Sequence, residues 1–382
     1  MNKQHKNVLI MAEHFSPGYK AGGTVRSLEN MITSLHEYIN FSVITRHNDF
    51  ADPAPYTSVE ANKWQKYANA NCYYIAKIGI NTIKQAFKGK EWDILYVNSF
   101  FSFWFSFMPI LLWRLGMLKT KRVIIAPMGE LNKGALARKW FKKDVYRVVC
   151  KLLMHHNKVE WQGINDTEVE SIKYYYAGKK AKTHTVPDVA CMPSPPKQPL
   201  KKEPDILNLV FISRICENKG LHRALEALKN VQAEVNFDIY GPKEKNDYWQ
   251  KIEKQIIDLP THITVNYKGG LKPNEVMPTF AKYHSFILPT DFENFGHAIA
   301  EGLSVGCIPI ISDTAPWKGL NLKKAGYICP VNDIYVYTEA LNDIASMNQE
   351  EYEQIQQNTL NYIINNEDIK ESIQQNKVMF TE

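Results

Sequence analysis

The stretch Glu293-Asn-Phe-Gly-His-Ala-Ile-Ala-Glu301 decides the fold, because it places a glycine turn between a short apolar run and a helical pattern. Residues 285–288 before it are apolar and predict a buried strand, and residues 297–305 repeat small and apolar side chains at helical spacing. Such a turn is typical of the carboxyl edge of a parallel sheet, where amides at a helix N-terminus bind anions. Two glutamates add acceptors for hydroxyl groups, so we expect a ligand that carries both an anion and hydroxyls.

Length and composition indicate the number of domains and the class of protein. The chain has 382 residues, which is more than one hydrophobic core usually serves and predicts two domains. Hydrophobic residues make up 45% and charged residues 23%, which excludes a disordered or fibrous protein. The six cysteines are dispersed without a Cys-x-x-Cys pair and without a secretory signal, so we expect reduced thiols in the cytoplasm.

Strand and helix patterns alternate in both halves of the chain, which predicts a doubly wound parallel sheet in each. The first half opens with an apolar run, a loop that contains Gly22 and Gly23, and a helix over 24–36. The predicted strands of the first half are 8–12, 41–45, 94–97, 123–126 and 182–186. Those of the second half are 207–212, 235–240, 263–267, 285–288, 308–311 and 327–328.

The predicted fold class is therefore α/β, with two Rossmann-like doubly wound domains that face a central cleft. We expect an N-terminal domain over 1–186 and a C-terminal domain over 206–360. Six prolines between them, in residues 187–205, predict a connector without helix or central strand. The final segment, 361–382, is a predicted helix, and its return to the N-terminal domain is left open by the sequence.

Two segments of the first half are candidates for contact with a membrane. Residues 100–113 are strongly apolar, but these 14 residues include Pro109 and fall short of the about 20 that a spanning helix needs, so we predict a buried helix. Residues 132–158 carry eight cations and one acid, Asp144, among apolar residues. This pattern predicts a basic amphipathic helix, and either an anionic membrane surface or plain solvent accounts for its charged face.

Two cations open the second half of the chain. Arg214 and Lys219 come directly after the predicted strand 207–212 and therefore lie at its carboxyl edge. An arginine binds phosphate with two parallel hydrogen bonds, and a lysine places a point charge on a leaving diphosphate. We expect these cations and residues 293–301 to form two sides of one phosphate site.

On these residues the chain resembles the retaining glycosyltransferases of family 4, the group 1 glycosyltransferases, which have the GT-B fold. The resemblance covers most of the chain, and its two specific parts are the Arg214 and Lys219 pair and the Glu293-x7-Glu301 motif. The other matching segments are Gly22-Gly23-Thr24, Met128-Gly129-Glu130-Leu131 and Gly306-Cys-Ile-Pro-Ile-Ile-Ser-Asp313.

The resemblance implies that the chain moves a sugar from a nucleotide-diphosphate donor to a hydroxyl acceptor and retains the anomeric configuration. A UDP-sugar is the favoured donor, and the acceptor is a glycan or a polyprenyl-linked sugar. Arg214 and Lys219 would bind the donor diphosphate, Glu293 the donor sugar and Glu301 the ribose. The other predicted donor-binding residues are Gly22, Gly23, Asn294, Phe295, Gly296 and His297.

The acceptor side is the part of the pattern that departs from the family. Asn98 stands where relatives often have a histidine, and it can hydrogen-bond but cannot act as a base. Asn98 and Glu130 are the predicted acceptor-side residues. The sequence shows no metal-ligand spacing among its acids or its 11 histidines, so we expect neither a metal nor another cofactor.

Other function classes remain open or are disfavoured. Another GT-B enzyme, such as a nucleotide-sugar epimerase or a phosphorylase, and a non-catalytic nucleotide-binding scaffold stay as alternatives. Nucleic-acid binding is disfavoured, because one segment accounts for the net charge of +6 and no recognition motif is present. We expect a cytoplasmic enzyme of bacterial surface polysaccharide synthesis (capsule, O-antigen or exopolysaccharide), with a peripheral position on the inner face of the membrane as a hypothesis.

Overall fold

The protein is described by a computed structural model over residues 5–131 and 158–382. Its contacts divide the chain into two units. The N-terminal domain is Met1–Val189 together with Asp368–Glu382, and the C-terminal domain is Ala190–Glu367. The predicted basic segment 132–158 lies, apart from Lys158, outside the described residues.

The N-terminal domain is built on a sheet of eight strands. They are β1 (Lys6–Met11), β2 (Ile39–Arg46), β3 (Trp64–Tyr67), β4 (Ala70–Ile75), β5 (Ile94–Asn98), β6 (Arg122–Ala126), β7 (Val159–Gly163) and β8 (Lys182–Thr185). The strand order is β3-β4-β2-β1-β5-β6-β7-β8, and every neighbouring pair is parallel except β3 with β4. The order reverses between β1 and β5, which therefore form the topological switch point of this domain.

Helices cover both faces of this sheet. The described ones are Gly23–Leu35, Ile80–Phe87, Met108–Arg114, Asp166–Ile172 and Glu367–Thr381, with single π-helical turns at Phe103–Phe107 and Lys173–Ala177. In the first helix Val25, Leu28 and Ile32 are buried at spacings of three and four, which places one apolar stripe on the sheet.

The apolar stretch 100–113 forms a buried helical segment, as the sequence predicted. Phe105 and Ile110 are fully buried, although Phe103 remains 48% exposed. Among the residues that the structure describes, no helix is both long and apolar enough to cross a bilayer.

The last helix, Glu367–Thr381, completes the core of the N-terminal domain. The Phe380 ring packs edge-to-face against Phe41 and Tyr96, with ring centroids 5.8 and 5.5 Å away. Arg122 Nη2 donates a hydrogen bond to the Met379 carbonyl at 3.1 Å. The predicted segment 361–382 is divided differently in the structure, because residues 361–364 still belong to the helix Gln349–Ile364 of the other domain.

Strands β3, β4 and β7 are absent from the predicted strands, and β7 differs from an ordinary alternating strand because its polar side chains are buried as well. Its Glu160 is 3% exposed and binds Arg122 Nε at 2.8 Å, Arg122 Nη2 at 2.7 Å and His184 Nε2 at 2.7 Å. Gln162 accepts a hydrogen bond from the Tyr96 hydroxyl at 2.8 Å and donates one to the Val186 carbonyl at 3.0 Å. Partners on neighbouring strands thus make polar side chains compatible with a central position.

The C-terminal domain contains a sheet of six parallel strands. They are β9 (Ile206–Ile212), β10 (Glu234–Tyr240), β11 (Ile263–Gly269), β12 (Ser285–Leu288), β13 (Ile308–Ser312) and β14 (Tyr327–Cys329). The order β11-β10-β9-β12-β13-β14 reverses between β9 and β12. The helices are Leu221–Leu228, Asn246–Ile257, Pro273–Phe280, His297–Ser304, Ile334–Ser346 and Gln349–Ile364.

The proline-rich segment 187–205, described throughout, contains neither helix nor strand. Lys202, which is 3% exposed, anchors this segment to the C-terminal domain. The Lys202 ammonium donates to the carbonyls of Glu203, Ala345 and Met347 at 2.7, 2.7 and 3.1 Å. A cation at this point also stabilises the C-terminal end of the helix Ile334–Ser346.

The Glu160 cluster predicts how N-terminal domain stability depends on pH. Burial raises the pKa of Glu160, but hydrogen bonds from Arg122 and His184 outweigh burial and hold that pKa well below its ordinary value of 4.5. The ionised carboxylate therefore contributes stability that is complete above pH 4.5 and is lost as the pH falls through the lower, folded-state pKa. Glu160→Gln should lower the free energy of unfolding by about 2 kcal/mol at pH 7.

Denaturant titrations of wild type and Glu160→Gln at pH 7 and at pH 4 measure this effect. We expect the difference between the two proteins to shrink at the lower pH. An equal difference at both pH values would contradict the assignment of this stability to the ionised carboxylate.

Candidate functional site

The candidate site lies at the carboxyl edge of the C-terminal sheet, at its topological switch point. The loop after β9 contains Arg214 and Lys219, and the loop after β12 contains Glu293. Because β9 and β12 are neighbours, the two predicted clusters come together although they are far apart in sequence. Ligands of open α/β sheets bind at such a crevice.

The two loops touch through their backbones. Gly220 has φ +72°, and a Cβ atom on it would lie 1.9 Å from the carbonyl oxygen of Pro289. The carbonyl of Asn218 accepts hydrogen bonds from the Thr290 hydroxyl and the Asp291 amide, both at 2.9 Å. Only glycine fits at position 220, so this residue sets the distance between the two sides of the site.

Lys219 and Glu293 form an ion pair across this contact. The distance from Lys219 Nζ to Glu293 Oε1 is 2.5 Å, and the side chains are 11% and 13% exposed. Each group therefore holds the other in place at the mouth of the crevice. A lysine fixed in this way presents its remaining ammonium protons to an anion without a search through rotamers.

Arg214 pairs with a residue that sequence patterns did not single out. Its guanidinium donates to Glu244, in the loop after β10, and the two side chains are 52% and 37% exposed. The loops are aligned by hydrogen bonds from the Ile215 amide to the Pro242 carbonyl at 2.9 Å and from the Glu244 amide to the Ile215 carbonyl at 3.2 Å. This ion pair is half-exposed, so a bound anion can replace Glu244 at little cost.

The predicted turn and helix of the 293–301 motif are confirmed. Gly296 has φ +84° and is the N-cap of the helix His297–Ser304, whose first turn has no side-chain cap hydrogen bond. The Trp317 indole Nε1 donates a hydrogen bond to the Phe295 carbonyl at 2.6 Å, which stabilises the turn. Glu301 lies one helical turn after His297 and is 7% exposed.

Arg223 is a further cation beside these residues that sequence reasoning missed. Its Nη1 donates to the Pro289 carbonyl at 3.1 Å and its Nη2 to Asp291 Oδ1 at 2.6 Å. Arg223 therefore connects the helix after β9 to the loop after β12. The sequence signal that would have identified Arg223 is its spacing of four residues from Lys219, which is one helical turn, at the start of the helix Leu221–Leu228.

The predicted acceptor-side residues lie at the carboxyl edge of the N-terminal sheet. Asn98 is the last residue of β5 and is 6% exposed. Glu130 follows β6 and accepts hydrogen bonds from the Ser99 hydroxyl at 2.9 Å and from the Phe100 and Phe101 amides at 2.6 and 3.0 Å. In this structure Glu130 shapes the loop after β5.

The predicted glycine loop lies on the same domain. Gly22 has φ +74° and no atom within 4 Å of the position a Cβ would take. Gly23 is the first residue of the helix Gly23–Leu35. The structure thus places Gly22 and Gly23 on a different domain from Arg214, Lys219 and Glu293, and their contact with a donor stays a prediction.

The switch point of the N-terminal domain holds two residues that the sequence did not single out. Glu13 Oε1 binds Arg46 Nε at 3.0 Å, and its Oε2 accepts from the Ser102 hydroxyl at 2.9 Å. The neighbouring His14 packs edge-to-face on Phe50 with ring centroids 5.6 Å apart. Burial lowers the pKa of His14 below its ordinary value, so its imidazole is neutral at pH 7.

Within residues 5–131 and 158–382, no group of three or more His, Cys, Asp or Glu side chains is arranged to hold a metal ion.

Residues 195–362 match the model of the family described as Glycosyl transferases group 1. The match covers nearly all of the C-terminal domain and includes every candidate residue after β9 and β12. The resemblance on which the site prediction rests is therefore confirmed for this domain.

Two curated relatives are similar to part of the chain. Both are described as putative colanic acid biosynthesis glycosyltransferase WcaL, from Salmonella typhimurium and from Escherichia coli. Each is 25% identical, over 161 and 166 residues respectively. The alignments span 39% and 40% of this chain and 38% and 40% of the relatives, so the chain matches well under half of each relative's length.

Solved structures match the whole chain in fold. A sucrose-phosphate synthase from Thermosynechococcus elongatus has a TM-score of 0.66 at 13% identity and covers 98% of both chains. Anabaena HepE in complex with UDP-glucose has a TM-score of 0.65 at 12% identity, over 99% of this chain and 100% of that chain. WaaG, a glycosyltransferase involved in lipopolysaccharide biosynthesis, has a TM-score of 0.56 at 11% identity, over 98% and 99%. These matches confirm the predicted GT-B fold.

The contact between Gly220 and Pro289 predicts unequal effects for two glycine-to-alanine changes. Gly269→Ala is the matched control, because Gly269 has φ +82° but no atom within 4 Å of a Cβ. It should cost about 1 kcal/mol for the left-handed backbone alone. Gly220→Ala meets the Pro289 carbonyl as well and should cost about 3 kcal/mol or more, measured by denaturant titration. Equal losses for the two variants would show that the loops are not held in close contact.

Proposed function

We propose that this chain transfers a sugar from a nucleotide-diphosphate donor to a hydroxyl of a glycan or lipid-linked acceptor, because residues 195–362 match the model of the group 1 glycosyl transferases. One observation carries the proposal. Arg214 and Lys219 after β9 meet Glu293 and the helix containing Glu301 after β12, at the switch point of one sheet. Two cations and a helix N-terminus suit a diphosphate, and two carboxylates suit sugar hydroxyls.

The catalytic work in this proposal is electrostatic. When the bond between the sugar and the diphosphate breaks, negative charge develops on the leaving oxygen. Lys219 is already fixed by Glu293, and Arg214 exchanges Glu244 for the phosphate. A fixed donor at such a position contributes about 3 kcal/mol to the stabilisation of a transition state, so the loss of either cation is severe.

The proposed stereochemical course is retention through attack on the same face of the sugar. The bond from the anomeric carbon to the diphosphate oxygen breaks and a bond to the acceptor oxygen forms. The acceptor proton passes to the departing phosphate oxygen, so the mechanism calls for no protein nucleophile. Glu293 orients the donor sugar through its hydroxyls, and Glu301 binds the ribose.

The favoured donor is a UDP-sugar, and the favoured pathway is the synthesis of a bacterial surface polysaccharide. Support for the donor comes from the fold match to HepE, which binds UDP-glucose. Support for the pathway comes from the partial similarity to the WcaL proteins of colanic acid biosynthesis and from the fold match to WaaG. In this pathway the protein works in the cytoplasm, on a glycan or polyprenyl-linked acceptor, without a metal or other cofactor.

The basic segment 132–158 is proposed to rest on the inner face of the cytoplasmic membrane. Its support is the sequence alone, because apart from Lys158 the segment lies outside the described residues. Eight cations interleaved with apolar residues are typical of helices that bind anionic lipids.

Donor binding is tested by thermal shift with UDP, GDP, ADP, TDP and their common sugar conjugates. A ligand that binds the folded state raises the melting temperature, and we expect a selective rise with UDP or a UDP-sugar. Lys219→Ala should abolish this rise, and Glu301→Ala should weaken it. Lys229→Ala is the matched control, because Lys229 also pairs with a glutamate, Glu226, at 2.8 Å. A full shift in Lys219→Ala would refute the site assignment.

Membrane binding through 132–158 is tested by sedimentation with anionic vesicles at low salt. Neutralisation of Lys139, Lys142 and Lys143 to glutamine should reduce the bound fraction at least about tenfold, since each lysine near an anionic surface contributes about 1 kcal/mol. Binding of the triple variant at the wild-type level would exclude this segment as the membrane contact.

A further inference from the structure

We propose that a second basic surface, on the described part of the N-terminal domain, docks the protein on an anionic phospholipid bilayer. This surface, the amino-edge groove, lies where the chain enters β5 and β6. It is separate from the basic segment 132–158 and from the candidate residues at the carboxyl edge of the sheet. The docking proposal is independent of the donor and of the chemistry proposed above.

The amino-edge groove is an open depression with a volume of about 910 Å³. The end of the helix Ile80–Phe87 forms one side, and the turn after the helix Met108–Arg114 forms the other. The lining side chains that determine its charge and its apolar surface are Lys84, Lys88, Lys90, Lys119 and Met117.

Positive charge in the groove exceeds the acids available to balance it. Lys119 pairs with Glu91 at 2.9 Å, and Lys121 beside the groove pairs with Asp93 at 3.0 Å. Within residues 5–131 and 158–382, no acidic side chain pairs with Lys84 or Lys88, and both lysines are exposed. Like charges held in one concave surface raise the local potential and attract an anionic partner.

Apolar side chains project from the rim of the same groove. Leu115 and Met117 are 60% and 50% exposed, on a tight turn that Gly116 makes with φ +72°. The next residue, Leu118, is 2% exposed and fixes the base of the turn in the core. The turn thus presents two apolar tips to solvent on a rigid support, with Arg114 and Lys119 on either side.

An anionic bilayer is the partner that uses both features. Phosphate head groups match the unpaired ammonium groups of Lys84 and Lys88, and the acyl boundary accepts Leu115 and Met117. A nucleic acid or an acidic glycan would meet the same lysines, but it would leave the two apolar tips in water. The combination of charge and exposed apolar tips therefore favours lipid over another polyanion.

The position of the groove also constrains the proposed acceptor, a step that rests on the proposed function. The groove lies at the amino ends of β5 and β6, whereas Asn98 is the last residue of β5 and Glu130 follows the carboxyl end of β6. Each strand has five residues, which at about 3.3 Å per residue separates the two edges by about 17 Å. We therefore infer that a lipid-linked acceptor already carries several sugars when it reaches the carboxyl edge.

Sedimentation of the full chain with vesicles tests the docking proposal. One vesicle is phosphatidylcholine with phosphatidylglycerol at a 3:1 ratio, and the other is phosphatidylcholine alone, both at low salt. We expect binding to the anionic vesicles only. Lys84→Glu with Lys88→Glu should lower the partition coefficient at least about tenfold, and Leu115→Ser with Met117→Ser should lower it severalfold.

The matched control is Lys251→Glu with Lys254→Glu, which reverses two exposed lysines on the helix Asn246–Ile257 of the other domain. It should leave the partition coefficient within about twofold of wild type, because it makes the same change in net charge on the other domain. A melting temperature near that of wild type verifies folding, and Lys84→Ala with Lys88→Ala replaces the glutamate variant if that variant does not fold.

Three outcomes would overturn the proposal. The first is that the groove variants bind vesicles as well as the control does. The second is that vesicle binding is lost only when Lys139, Lys142 and Lys143 are neutralised. Tighter binding of the same lysines to duplex DNA than to vesicles would assign the surface to another polyanion. Thermal shifts with UDP, measured on the same variants, separate a failure of this proposal from a failure of the donor site.

Discussion

The close approach of the backbone at Gly220 to the Pro289 carbonyl is the constraint on which the candidate site depends. It joins the loop after β9 to the loop after β12, and the parallel order of the sheet places these two loops side by side. The 2.5 Å ion pair between Lys219 and Glu293 exists because the backbones are this close. Without the contact, the same side chains would belong to two separate and flexible loops.

The arrangement of charge around this contact is suited to a ligand that is both anionic and rich in hydroxyls. Lys219 is nearly buried and already oriented, which reduces the cost of ordering it when a ligand binds. Arg214 is half-exposed and paired with Glu244, so it can change partners. One fixed and one exchangeable cation allow the site to stay folded without a ligand and still to accept a diphosphate.

Local sequence patterns were sufficient for the elements that carry the motifs. The predicted strand and helix around residues 293–301 agree with β12 and His297–Ser304 to within one residue, because apolar period and glycine position are local signals. β3, β4 and β7 were missed, and the partners that allow Glu160 and Gln162 to be buried in β7 lie on neighbouring strands that only the folded sheet brings together. The same limit applies to Glu244, Arg223 and Glu13, whose contacts join residues that only the sheet order brings together.

The central claim is that the switch point of the C-terminal domain binds a diphosphate, and isothermal titration of UDP and UMP into wild type and Lys219→Ala tests it most directly. The account predicts that UDP binds wild type at least about tenfold more tightly than UMP, because the second phosphate meets an additional charge-assisted contact. In Lys219→Ala this preference should disappear. Equal affinities of wild type for UDP and UMP, or an unchanged preference in the variant, would contradict the account.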